Sequence, residues 1–206
     1  MLFFVTGNHA FAEEDSTKFR VAVMDLGQYD GSITSSLNSE SLGLMASEYL
    51  TQALHESGKF TVIAQDLMAE QIAEAGIQTS GIISPNMARK IASILNVDYV
   101  IFGTINGVSG DTMTIEVVSN GANVHTVKAV LIVDMMNAKT GQLISARGEG
   151  SSKSSKIKAG KDNVGFLTIG KKKIPKVSVH NAIQKAAYSV TDDIILQLPN
   201  LLDEDE

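Results

Sequence analysis

The chain has 206 residues, a formal net charge of −6, 44% hydrophobic and 19% charged residues, and three prolines. That balance excludes wholesale disorder, and the length suits one large domain that buries roughly 70% of its unfolded surface. Cysteine is absent, which removes disulfides, thiolate zinc sites, a cysteine nucleophile and acylation at cysteine.

Residues 1–17 read as the remnant of a signal-like N-terminus. Ala10-Phe11-Ala12 has the small-x-small pattern of a signal-peptidase site, while Met1 to Val5 is shorter than a full apolar region and no basic stretch precedes it. Export is the expectation, and no other stretch reaches the roughly 20 apolar residues of a spanning helix. Phe19 to Leu26 is an apolar, β-branched run of strand length, ended by a loop at Gly27, Asp30 and Gly31. From about Ser39 to Ser57, Leu42, Ala46, Tyr49, Leu50, Ala53 and Leu54 recur at helical spacing, and Gly58 stops the helix. Phe60 to Ala64 reads as a short strand, followed by a helix capped by Asp66 and ended by Gly76. Ser84 then caps a helix with Pro85 at its first position and a buried stripe of Met87, Ile91, Ile94 and Leu95, and Val97 to Ile105 follows as a buried strand.

Thr112 to Val118 and Val124 to Met136 flank Ser119 to Asn123 and read as a β-hairpin, with Gly103, Gly107 and Gly110 of "GTINGVSG" as a preceding turn. Asn137 to Gly141 is a second turn, in which Asn tolerates the geometry and Gly supplies positive φ, and Gln142 to Glu149 returns as a strand. From Ser178, residues Val179, Ile183, Ala186, Ala187, Val190, Ile194 and Leu198 mark a long amphipathic helix that Pro199 ends. The expected fold is α/β, a mixed β-sheet covered by helices. Residues 18–198 are expected to form a single domain, and 199–206 an acidic, solvated tail.

Catalytic and metal signatures are missing. His9, His55, His125 and His180 share no ligand spacing and read as surface or cap residues. Aligning Gly31 with the turn of a calcium loop puts Leu26 and Leu37 where acidic ligands belong. "GTINGVSG" lacks the spacing of a phosphate cradle, no G-x-S-x-G elbow exists, and Asp192-Asp193 reads as an exposed helical face. No catalytic residue, metal or cofactor is predicted.

The one segment that stands out by charge is 153–176, "KSSKIKAGKDNVGFLTIGKKKIPK", with eight lysines against one aspartate. It leaves nine basic and twenty-two acidic residues in the rest of the chain. The candidate binding residues are Lys153, Lys156, Lys158, Lys161, Phe166, Lys171, Lys172, Lys173 and Lys176. Three readings stay open: a solvated hairpin whose lysines protect a sheet edge, contact with the acidic surface of a neighbouring subunit or envelope protein, and peripheral contact with an anionic membrane or envelope polymer. Nucleic acid is not expected, because the segment has no arginine and Phe166 is its only aromatic residue.

Three segments, "KFRVAVMDL" (18–26), "LNVDYVIFGTINGV" (95–108) and "VDMMNAKTGQLISARGEG" (133–150), in this order resemble the CsgG family, and the resemblance covers about residues 18–198. It implies a periplasmic α/β domain that assembles into a ring, with membrane-spanning hairpins in the pore members and soluble envelope proteins among the relatives. The fold expected from it is a CsgG-like periplasmic domain with a β-hairpin insertion at 153–176. Two features depart from the pore members. Their lipid anchor takes an N-terminal cysteine, so anchoring through cysteine is not expected in this chain. A barrel strand needs about 9 to 11 residues, whereas only Val164 to Ile169 of the lysine segment is apolar and strand-like, and the arms of 112–136 read better as sheet strands. The function expected is that of a non-catalytic, exported envelope scaffold in secretion or surface assembly, acting through self-association or partner docking. The alternatives are a monomeric periplasmic module that binds and regulates a cell-wall enzyme, and a small-molecule binding or hydrolytic domain.

Overall fold

The structure, a computed structural model, describes residues 18–28, 39–77, 83–117, 120–157, 166–169 and 172–201. Chain order is β1 (Phe19–Val23), β2 (Gly27–Gln28), α1 (Ser39–Glu56), β3 (Phe60–Val62), α2 (Gln65–Glu74), α3 (Pro85–Leu95), β4 (Tyr99–Val117), β5 (Asn120–Asn137), β6 (Leu143–Ile157), β7 (Phe166–Ile169), β8 (Lys172–Pro175), α4 (Lys176–Gln197) and a 3-10 turn (Leu198–Leu201). The main sheet runs β3-β1-β4-β5-β6, with β2 also on β4, and β7-β8 forms a separate two-stranded sheet. β1 is parallel to β3 and β4, whereas β4-β5 and β5-β6 are antiparallel. This is the mixed sheet that the sequence predicts. Strands separated by a helix pair in parallel, and strands separated by a tight turn pair as antiparallel neighbours.

Alternation along the inner strands divides the core into two layers. Val21, Val23, Tyr99 and Ile101 face α1 and α4, together with Leu131, Val133 and Met135 of β5. Ala22, Met24, Val100 and Phe102 face α2 and α3. A strand whose neighbours in sequence point into opposite layers must be apolar throughout, which is why 19–26 and 97–105 read as continuous hydrophobic runs. Burying a large residue such as Phe60, Leu50 or Ile183, each almost fully enclosed, contributes about 1.5 to 3 kcal/mol.

Four local expectations are corrected. Asp66 does not cap α2: the helix begins at Gln65, with Ala64 at the N-cap, and the Asp66 carboxylate accepts the Leu67 amide at 2.8 Å within the first turn. Its charge still lies at the favourable end of the helix dipole. Ile94 is 36% exposed, and the buried stripe of α3 is Ala88, Ile91, Ala92 and Leu95. Ser84 does cap this helix, accepting from the Met87 amide at 3.4 Å. "GTINGVSG" is strand rather than turn. Asn106 is the extra residue at a register shift between Ile105 and Gly107, and β4 continues through it, paired with β5 as far as Val117↔Asn120. The return strand reaches Ile157 rather than Glu149, so Lys153 and Lys156 belong to the sheet.

The helix of greatest consequence is α4, which lies along β6 and β5. Its inner face is built of small residues, Ala182, Ala186 and Ala187 among Val179, Ile183, Val190 and Ile194, all fully buried. Opposite them β6 presents Gly148 and Gly150. A Cβ on Gly150 would sit 1.9 Å from the Ala182 carbonyl oxygen and 2.5 Å from the Ala186 nitrogen, and one on Gly148 would sit 2.1 Å from the Ala186 carbonyl oxygen. Backbone meets backbone there, so neither position can yield by turning a side chain. Gly150→Ala is therefore expected to destabilise the fold by about 3 kcal/mol. Gly107→Ala, where a Cβ would meet nothing within 4 Å, should change stability by less than about 0.5 kcal/mol. Urea denaturation of the two variants checks the contrast.

Candidate functional site

The described lysines of the segment are divided among β6, β8 and the start of α4. Lys153 is exposed on β6, opposite Thr126, and Lys156 pairs with Asn123 near the strand's end. Lys172 and Lys173 lie in β8, paired with Ile169 and Thr168, while Phe166 of β7 pairs with Pro175. Lys176 is the exposed first residue of α4, whose first turn holds no acidic residue. Lys158, Lys161 and Lys171 lie outside the described residues. Joining the two groups is a hydrogen bond of 2.8 Å between Ser178 Oγ of α4 and Ser154 Oγ of β6. It fixes the start of the helix against the far part of the strand; Lys153, next to Ser154 in the strand, projects to the opposite face of the sheet. The positive end of the α4 dipole adds to the charge of Lys176.

The residues that carry the family resemblance serve the frame. The Arg20 amide donates to Asp98 Oδ2 at 2.8 Å, the Asp98 amide donates to the Arg20 carbonyl at 2.9 Å, and the Ala138 amide donates to the Asp98 carbonyl at 2.8 Å. Asp98 thus ties β1, β4 and the β5–β6 turn together. Within that turn Asn137 Oδ1 accepts the Lys139 and Thr140 amides at 2.9 and 3.2 Å, and Gly141 takes φ +77. A side chain at Gly103 would meet the Ile132 carbonyl oxygen at 2.2 Å, which is the backbone crowding that its place in a buried strand predicts. Asp25 accepts from Gln65 Nε2 at 2.5 Å and Ser47 Oγ at 3.4 Å, so it joins α1 and α2 to the loop after β1.

Sequence reasoning missed a polar seam between α1 and α4. Tyr49 Oη and His180 Nδ1 are 3.2 Å apart with their rings edge to face, and His180 is half-buried rather than a surface or cap residue. Leu44, Met45, Glu48 and Gln52 complete a shallow cavity of about 320 Å³ around the pair. Further along, Tyr188 donates its hydroxyl to Glu56, which also accepts from Gln52 Nε2 at 2.8 Å. Nothing local in the sequence marks these contacts, because the partners are 131 and 132 positions apart. Among the described residues no group of three or more His, Cys, Asp or Glu side chains could hold a metal ion. His9 and Asp30 lie outside the described residues. No helix among those residues is long and apolar enough to cross a membrane, a statement that does not extend to strands.

The Glu56–Tyr188 contact sets a pH signature. The Tyr188 hydroxyl, and then Gln52, hold the Glu56 carboxyl below the usual carboxylate range, and the Glu56 carboxylate pushes the Tyr188 phenol above its own. A depressed acid contributes stability above its unfolded pKa, about 4.3, that is lost as pH falls through the folded value. A raised phenol contributes stability below about 10 that is lost as pH rises through the folded value. Tyr188→Phe should lower the melting temperature at pH 7, and its gap to the parent should narrow below about pH 4 and above about pH 10. Thermal melts across that range check it, and a constant gap would contradict it.

The sequence model of the family described as "Curli production assembly/transport component CsgG" matches residues 9–201. No curated protein matches the chain. Among solved structures, the LpoB C-terminal domain from Escherichia coli is similar at 20% identity with a TM-score of 0.44, covering 69% of this chain and 88% of that one. Lipoprotein GNA1162 from Neisseria meningitidis is similar at 14% identity with a TM-score of 0.37, over 70% and 88% of the two chains. The PelC dodecamer from Paraburkholderia phytofirmans is similar at 13% identity with a TM-score of 0.33, over 84% and 88%. The family match spans nearly the whole chain and all three segments that carry the resemblance, and the protein belongs to the CsgG family.

Proposed function

We propose that the protein is a non-catalytic component of the bacterial cell envelope, exported to the periplasmic side, that acts in secretion or surface assembly by self-association or by docking an envelope partner. In this reading residues 18–198 act as one domain, residues 1–17 are the remnant of a leader, and 153–176 is the docking element. Family membership supports the setting. The observation that supports a docking site is the Ser154–Ser178 hydrogen bond, which ties the first turn of α4, next to Lys176, to the strand that carries Lys153 and Lys156, in a chain whose remaining residues are acidic on balance. Such a lysine-rich segment attracts an anionic surface by long-range steering and is weakened by salt.

The binding residues in this reading are Lys153, Lys156, Lys158, Lys161, Lys171, Lys172, Lys173 and Lys176, with Phe166 as the apolar contact between the two lysine groups. The acidic surface of a second copy or of an envelope protein is the partner that complements them. Anionic lipid or envelope polymer is the peripheral alternative, and nucleic acid is not a partner.

Exchange of Lys172 and Lys173 for Glu tests the site. Association, read as mass by light scattering for the protein alone and as flotation with vesicles containing phosphatidylglycerol, should weaken about tenfold at 0.15 M salt. Raising salt to 0.5 M should weaken the parent in the same assay. Loss confined to self-association names a protein surface, and loss confined to flotation names a lipid surface. Full retention of both after charge reversal would overturn the assignment of the lysine segment.

A further inference from the structure

β6 is the outermost strand of the main sheet, and its outer edge carries no neighbouring strand among the described residues. A free edge of this length is a template for adding another strand, because its outward amides and carbonyls are unsatisfied by the sheet. Here three of those groups are engaged from the side by α4. The Arg147 amide donates to Asp193 Oδ2 at 3.2 Å, Gln197 Nε2 donates to the Ser145 carbonyl at 3.1 Å, and Lys185 Nζ donates to the Ser151 carbonyl at 3.0 Å. The chemistry is matched group by group: a carboxylate meets the amide, and an amide and an ammonium meet the carbonyls.

The spacing explains how one helix does this. Lys185, Asp193 and Gln197 share a four-residue repeat, with Ser189 in the remaining place, so they form one row along the flank of α4. Eight residues of helix rise about 12 Å, and the four residues of strand from Arg147 to Ser151 rise about 13 Å, so row and edge stay in step. The close approach at Gly148 and Gly150 brings the helix low enough for its flank to reach over the edge.

We propose that this row holds shut an edge that would otherwise pair with the same edge of a second copy. Antiparallel β6–β6 pairing is self-complementary under two-fold symmetry, so a second copy supplies a ready partner once the row is removed. The inference is independent of the lysine segment, since it concerns Ser145 to Ser151 and not the far end of the strand.

The test compares the full chain with Lys185→Ala/Asp193→Ala/Gln197→Ala, following mass against concentration by light scattering and exchange of the Arg147 amide by NMR. The parent's own state is the baseline. The triple variant should gain mass with concentration beyond that baseline, and its Arg147 amide, fast when dilute, should slow as the mass rises. Adding Arg147→Pro, which deletes the outward N–H, should return the mass to baseline. A folded triple variant with the parent's mass at every concentration would overturn the proposal, and so would association that survives Arg147→Pro. Should the triple variant fail to fold, Asp193→Ala alone decides. About tenfold faster exchange at Arg147 supports the guard, and unchanged exchange overturns it.

Discussion

The contact on which most of this structure turns is the approach of α4 to β6, where the backbone of Ala182 and Ala186 meets the backbone of Gly148 and Gly150. Interiors are packed too densely for such a contact to be loosened by a methyl group. The glycines set how near the helix comes, and that nearness has three results. The aliphatic face of α4 closes the layer shared by α1, β1, β4 and β5. Its polar flank reaches the outer edge of β6. Its first turn meets Ser154 toward the end of β6.

Most of the frame was legible in the sequence because its causes are local. The stripe of α4, the Ser84 cap with Pro85 behind it, the Asn137–Gly141 turn and the antiparallel pairing of the fourth and fifth strands follow from periodicity and turn chemistry, although Asn120 to Asn123, read as loop, belong to β5. Failures occurred where a local signal was overruled by a distant one. Three glycines within 103–110 read as a turn, yet pairing with β5 carries the strand through them. Asp66 has the composition of a cap, but helix formation at Gln65 placed it inside the first turn. The seam of Tyr49 with His180 and Glu56 with Tyr188 could not be read at all, since it exists only once α1 and α4 lie side by side.

The candidate site was legible as composition and not as shape. Charge counting isolates 153–176, but only the structure assigns its beginning to β6 and its end to β8 and α4. Along β6 the two ends differ in their surroundings. Near its start, β6 is shielded by the row on α4 and tied into the core, while toward its end it carries lysines beyond that row.

If α4 and β6 form one unit held by backbone contact, they must open together. Native-state hydrogen exchange measures this directly, amide by amide. The account predicts that amides of α4 from Ala182 to Ile194 and the amides of β6 that face β5, at Ala146, Gly148, Gly150 and Ser152, exchange through one opening whose free energy equals that of global unfolding. Release of α4 at markedly lower free energy, with β4 and β5 still protected, would contradict it.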